Sequence, residues 1–367
     1  RTFSLSPGDG INWDESDDTK HDAGDFDTST QRVSKTDRLM ILANRVAGKI
    51  APKYPDVKFG ILAYVDYTRP PVREKVHPNV VPLIAPITFS RAQPMRDDGE
   101  PNNAALRNIV EGWAKVVPTT AYYSYAYFLA EVSSPNPMIT KWGEDIPFVL
   151  GPGKCQYWQP ETMMNFETSM HALYMGTRMA WDKDQKPNDI IDELHTLFYG
   201  NASREMAAYW HFVDKVWADT PEYAGGGFGH MRRWTQARTD QARKLMELAR
   251  KKCKTKAESA RAEMASLSLQ QFEAFMQVRR DLSDGRWEML ADDSETYRKR
   301  SLELGTRYLP QSAFGKMGWC KNKTINGYYF DVFYKNTYED AVRIAASFQV
   351  LTTPPLRAWR YAQDKEK

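Results

Sequence analysis

Cysteine is scarce in this chain of 367 residues: Cys155, Cys253 and Cys320 stand far apart and are odd in number. That excludes a disulfide framework and any CxxC metal motif. An excess of one charge is also lacking, with 50 Lys and Arg against 47 Asp and Glu and a net charge of +3. Neither nucleic acid nor an anionic membrane is therefore expected as the main partner. No apolar run approaches the roughly 20 residues that span a bilayer, so no transmembrane segment is read. There is no GxxxxGK[ST], no GxGxxG opening a helix, no HExxH and no GxSxG, so the sequence points to no cofactor and no metal ligand set. The stretch DESDDTKHDAGDFD from Asp14 packs seven carboxylates and His21 together. Its spacing matches no calcium loop, and it reads as a solvated loop.

Aromatic residues are what the chain has in quantity: 11 Trp, 19 Tyr and 16 Phe, 13% of the whole. Such rings either fill cores or line sugar-binding clefts, because a pyranose has an apolar face that packs on them. Along the chain, FSLS from Phe3 reads as a strand turning through Pro7, Gly8, Asp9 and Gly10. Ser34 and Asp37 open a helix whose Leu39, Leu42, Val46 and Ile50 recur at helical spacing, ended by Pro52 and Pro55. KFGILAYVDY from Lys58 is a continuous apolar run and reads as a strand buried on both faces. NVVPLIAPITF from Asn79, AYYSYAYFLAEV from Ala121 and GPGKCQYWQPE from Gly151 are further strands, with a helix near Asn103 to Val116.

Strands alternating with helices predict an α/β fold, a partial (β/α) TIM-type barrel of about half the eight units, over residues 1–166. An α-helical domain is expected over 167–308. Its stripes are Met170, Leu173, Tyr174, Thr177 and Trp181, then Ile190, Ile191, Leu194, Leu197 and Phe198 closed by Gly200, then Met206, Trp210, Val213 and Trp217 after a Ser203 cap. Residues 309–367 form a small mixed segment, with strand-like GYYFDVFY from Gly327.

In a parallel barrel the reacting groups project from the carboxyl ends of the strands. Those ends carry Asp9; then Tyr64, Asp66 and Tyr67; then Thr88 and Arg91; then Glu131; and finally Trp158, Gln159 and Glu161. Carboxylates converging with Tyr and Trp on one rim suit glycoside hydrolysis, where one acid protonates the leaving oxygen and another activates water or attacks. Tyr64, Tyr67, Trp142 and Trp158 would hold sugar rings, with Trp13 among the binding residues. A lone Asp at a strand end is more often a helix cap or the partner of an Arg, so the reading rests on the set.

YMGTRMAWDKDQKPNDIIDELHTLFYG from Tyr174 resembles the segment after the last barrel strand of secreted microbial α-glucuronidases, with their GR-LAW motif, acidic loop and I-x-x-E helix ending in an aromatic-Gly pair. APITFSRAQP from Ala85 is similar to their GPIDFQ-type strand end, and SPGDG sits where they carry a Ser-Glu-Gly turn with the catalytic acid. The set SLSPGDG, AYVDYTRPP and MAWD…YG resembles more closely still a bacterial family of unknown function, DUF4838, built on such barrels. The resemblance covers residues 1–215.

It implies a glycoside-hydrolase-type protein, secreted, periplasmic or on the cell surface, acting on polysaccharide or acidic oligosaccharide. Asp9 would be the general acid, and Glu131 or Glu161 the second carboxylate. Thr88 stands where those enzymes have a base Asp, and WDESDD replaces a cysteine cluster common after the first turn. The SPGDG turn follows a middle strand in such barrels. The chain is accordingly expected to be an excerpt that partners a missing N-terminal part, with LRAWRYAQDKEK leading towards a C-terminal β-sandwich. The rival implication is a non-catalytic glycan-binding or cell-surface structural protein that has lost the base.

Overall fold

The computed structural model describes residues 2–9, 13, 26–27, 31–99, 101–128, 134–162, 166–225 and 229–308. Glu131, most of the acidic loop after Asp14 and the segment 309–367 lie outside the described residues. The chain divides into two compact units. One holds Arg1–Ala126, Thr140–Glu161 and Met175–Lys186; the other holds Tyr127–Ile139, Thr162–Tyr174 and the residues from Pro187 onward.

The first unit is built on five parallel strands, β1 (Thr2–Ser4), β4 (Lys58–Tyr64), β5 (Val80–Ala85), β6 (Thr120–Tyr125) and β7 (Cys155–Glu161), hydrogen-bonded in that order. They form a curled half-barrel sheet. A two-residue hairpin, β2 (Phe26–Asp27) and β3 (Arg32–Val33), stands apart from it. Helices α1 (Thr36–Ile50), α2 (Pro101–Val116) and α3 (Ile139–Leu150) fall between the strands. Met40, Ala43 and Ala47 of α1 and Leu106, Ile109, Val110 and Trp113 of α2 share one core with Phe59, Ile61, Ala63, Val80 and Ile84. Each large apolar side chain buried there contributes about 1.5–3 kcal/mol. The Trp113 indole is satisfied inside that core, donating to the Thr68 carbonyl at 2.8 Å.

Three expectations change here. β4 is not buried on both faces: its residues alternate between half-buried and buried from Lys58 to Tyr64. Gly60 and Leu62 line a cleft whose border also includes Thr177, Ala180 and Trp181, so the apolar run does not mark a strand packed on both faces. Helix α3 is not among the elements read from the sequence; it carries Pro147 in its interior, which costs it one helical N–H. Asp37 lies in the first turn of α1 but does more than start it. Its buried carboxylate accepts from the Val72, Arg73 and Glu74 amides at 2.7–3.1 Å and so fixes the loop after Arg69-Pro70-Pro71.

The second unit is helical. It takes the first half of α4 (Phe166–Trp181), then α5 (Pro187–Tyr199), α6 (Ser203–Ala218), α7 (Gln236–Lys252), α8 (Lys256–Asp284) and α9 (Trp287–Tyr308). Met206, Trp210, Val213 and Trp217 of α6 are buried as their spacing predicts. Trp217 stacks on Trp234 at 5.4 Å, and Phe272 sets its edge against both. The α5 stripe buries Ile190, Ile191 and Leu194, but Leu197 is 69% exposed. Trp181, expected on the buried stripe of α4, is 93% exposed. Ser203 is the first helical residue and caps nothing, the N-cap position being Ala202. The cap that exists is at α8, where Thr255 and Glu258 form a reciprocal capping box.

Glu258 also reaches back to the turn after α5. Its carboxylate accepts from the Lys254 and Thr255 amides and from both the backbone and side-chain nitrogens of Asn201, at 2.7–3.2 Å. These bonds, the Lys254 amide first, hold its pKa at about 2. The turn requires a glycine. Gly200 has φ +53°, and a Cβ there would run into the Glu258 carboxylate. Gly200→Ala must accept a left-handed backbone costing roughly 1–2 kcal/mol and also displace that carboxylate. Urea unfolding of Gly200→Ala should show a loss of about 2 kcal/mol; unchanged stability would mean the left-handed turn does not form.

Candidate active site at the carboxyl ends of the strands

Because all five strands of the sheet are parallel, their carboxyl ends share one rim. Asp9 follows β1, Tyr64 ends β4 and Tyr67 follows it, Arg91 follows β5, Tyr123 and Tyr125 end β6, and Glu161 ends β7. The strand pleat decides which side chains face together. In register, Gly60 pairs with Val81, Leu62 with Leu83 and Leu83 with Ala121. Further along, Tyr123 pairs with Gln159 and Tyr125 with Glu161. Paired residues of parallel strands point the same way, so these line the face turned from the helices. That face opens a cleft of about 970 Å³, bordered by Gly60, Leu62, Leu83, Ala121, Tyr123 and Tyr157.

The rim is electrostatically coupled. Asp9 is exposed and Glu161 half-buried, at the two opposite edges of the sheet. The Tyr64 hydroxyl is pushed up chiefly by burial, then by the charges of Asp9 and Glu161 together, with Arg91 opposing. Tyr67 is pushed up to about 12 by burial, then by Tyr64, Asp9 and Asp66. Burial likewise raises Tyr123, helped by the charge of Glu161 and a hydrogen bond to it, and raises Tyr125, helped by Glu161. The buried Arg91 guanidinium lies 4.4 Å from the Tyr125 ring centroid. Phenols shifted in this way keep their protons at neutral pH, so they act as O–H donors.

The turn that ends β4 is itself strained, since Val65 has φ +45°. A β-branched residue adopts that region only when its surroundings impose it. Here Asp66 is the anchor. It is buried, accepts from Trp13 Nε1 at 3.0 Å and pairs with Arg32 at 3.1 Å. Trp13 in turn sets its edge on Tyr67 at 5.6 Å. Asp66 and Trp13, expected to bind substrate, therefore brace Tyr67.

Trp142 is a further correction. It is 2% exposed and packs edge-on against Trp158 at 5.4 Å, so it supports the rim without lining the cleft. Trp158 is half-buried and donates to Ser124 Oγ at 2.8 Å. Gly176 of α4 passes over that indole, where a Cβ would lie 2.7 Å from its ring. Gln159 is exposed on the cleft, and Thr88 is half-buried beyond the end of β5. The β6 strand end lies at Tyr125 rather than at Glu131. Tyr123 and Tyr125 were missed as site residues, although AYYSYAY shows the period of two that puts them on one face.

These shifts set a direction in alkali. The folded phenols lie above the value near 10 that they have in the unfolded chain, so their stability contribution is complete below about pH 10. It is lost as pH rises towards the folded value, about 12 for Tyr67. Urea unfolding between about pH 9 and pH 11 should show falling stability, and Tyr123→Phe should flatten the fall. A profile identical in the variant would contradict a buried, proton-holding Tyr123.

No curated protein and no solved structure matches the chain. A family model, that of the domain of unknown function DUF4838, matches residues 11–211, more than half of the chain and most of the rim just described. The chain belongs to the DUF4838 family.

Proposed function

We propose that the rim is the active site of a glycoside hydrolase acting on polysaccharide or acidic oligosaccharide outside the cytoplasm. The observation that carries this reading is that Asp9 and Glu161 lie at the carboxyl ends of the two edge strands of one parallel sheet, with Tyr64, Tyr123 and Tyr125 ending the strands between them. A pair of carboxylates on one rim is what glycosidic cleavage ordinarily requires. Asp9 would protonate the glycosidic oxygen as the bond to the anomeric carbon breaks. Glu161 would activate water or attack that carbon, held by its hydrogen bond with Tyr123. The protonated phenols of Tyr64 and Tyr67 would donate to sugar hydroxyls. Arg91, buried beside Tyr125, adds positive potential to the rim that would favour an acidic sugar.

A second reading rests on Thr88, which cannot serve as the base that the resembled enzymes place there. In that reading the cleft binds glycan without cleaving it. Reducing-end release from glucuronoxylan oligosaccharides, with calorimetric binding beside it, separates the two. Hydrolysis predicts that Asp9→Asn and Glu161→Gln each cut release on the order of 100-fold or more while binding persists. Binding without release by the unaltered chain would favour the second reading. Release undiminished in both variants would remove Asp9 and Glu161 from the mechanism.

A further inference from the structure

The helical unit carries a cluster that the strand-end rim does not use. One donor atom from each of Asp192, His195 and His211 lies within 4.8 Å of the other two. Asp192 and His195 are three residues apart on α5, which puts them on one face of the helix, and His211 comes from α6. The His195 and His211 rings stand edge to face at 5.7 Å. Asp192 and His211 are exposed, and His195 is 2% exposed.

The buried ring is the informative one. His195 Nε2 lies 3.2 Å from Nε2 of His171, which is fully buried. His195 Nδ1, also buried, has no hydrogen-bond partner among the described residues. An imidazole that donates through Nε2 keeps a bare lone pair on Nδ1. Leaving a buried acceptor without a donor is costly. The same arrangement is what a metal-binding histidine uses: one nitrogen is fixed by a neighbour, and the other is turned to the ion.

We propose that Asp192, His195 and His211 bind one divalent transition-metal ion of the zinc type, with His171 orienting His195. Two imidazoles and a carboxylate are a borderline nitrogen and oxygen set, which suits zinc, cobalt or nickel rather than calcium or magnesium. Tetrahedral bonds of about 2.0–2.2 Å place ligand atoms roughly 3.3–3.6 Å apart, so the three groups need close by little more than 1 Å. Three protein ligands leave a fourth position for water, on the side where Asp192 and His211 meet solvent. The ion would fasten α5 to α6.

Chelator-treated protein titrated with zinc chloride by calorimetry, and with cobalt chloride by visible absorption, tests the site. One ion per chain should bind, with intense tetrahedral cobalt bands that zinc displaces. His211→Ala and Asp192→Asn change exposed side chains and should keep the circular dichroism of the unaltered chain. Each should weaken zinc binding on the order of 100-fold and abolish the tetrahedral bands. No binding at micromolar zinc by the unaltered chain, or equal binding by folded His211→Ala, would overturn the proposal. Should either variant fail to fold, His211→Gln is read in the same titration, and the same outcomes decide.

Discussion

That five strands run in one direction is the constraint on which the candidate site depends. A parallel sheet gathers every carboxyl end on one rim, so residues as distant in sequence as Asp9 and Glu161 come to share one neighbour. The pleat then sorts side chains between two roles. Phe59, Ile61 and Ala63 bury against α1 and α2, while Gly60 and Leu62, offset by one position, face the cleft. A shift of one residue in the register of β4 would exchange those roles and turn Tyr64 away from the rim.

What the rim does chemically follows from partial burial. The phenols are desolvated enough to favour the neutral form, and two carboxylates nearby favour it further. Burial is the larger cause at each of Tyr64, Tyr67, Tyr123 and Tyr125, so their proton-holding state belongs to the fold and would survive loss of either acid. The buried Arg91 opposes the carboxylates at Tyr64 and Tyr125, which keeps the rim from being uniformly negative. The brace of Trp13, Asp66 and Arg32 holds the turn at Val65, and a strained turn needs such support.

Much of this was legible in the sequence, and the exceptions have physical reasons. Strand positions showed because apolar runs are punctuated by Pro and Gly, and Gly200 showed because a left-handed turn after a helix favours glycine. The α3 helix carries Pro147 at the cost of one helical N–H, and the burial of Trp142, Ile146, Phe148 and Val149 offsets it. β4 looked doubly buried because Leu62 is as apolar as Ile61, and sequence alone does not say which face a helix will cover. The apolar run of β6 continues past the last strand residue, Tyr125, which is why its end reads as lying near Glu131. The cluster of His171, His195 and His211 left no motif, since its members come from three helices.

The account turns on whether Asp9 and Glu161 flank a single glycan-binding cleft. A crystal structure of the Glu161→Gln variant soaked with an acidic xylo-oligosaccharide tests this most directly. The account predicts a sugar ring held between Asp9 and position 161, within hydrogen-bond reach of the Tyr64 and Tyr123 hydroxyls, with its acidic group towards Arg91. Sugar bound elsewhere, or Asp9 turned out of the cleft to serve as a cap or to pair with an arginine, would contradict it.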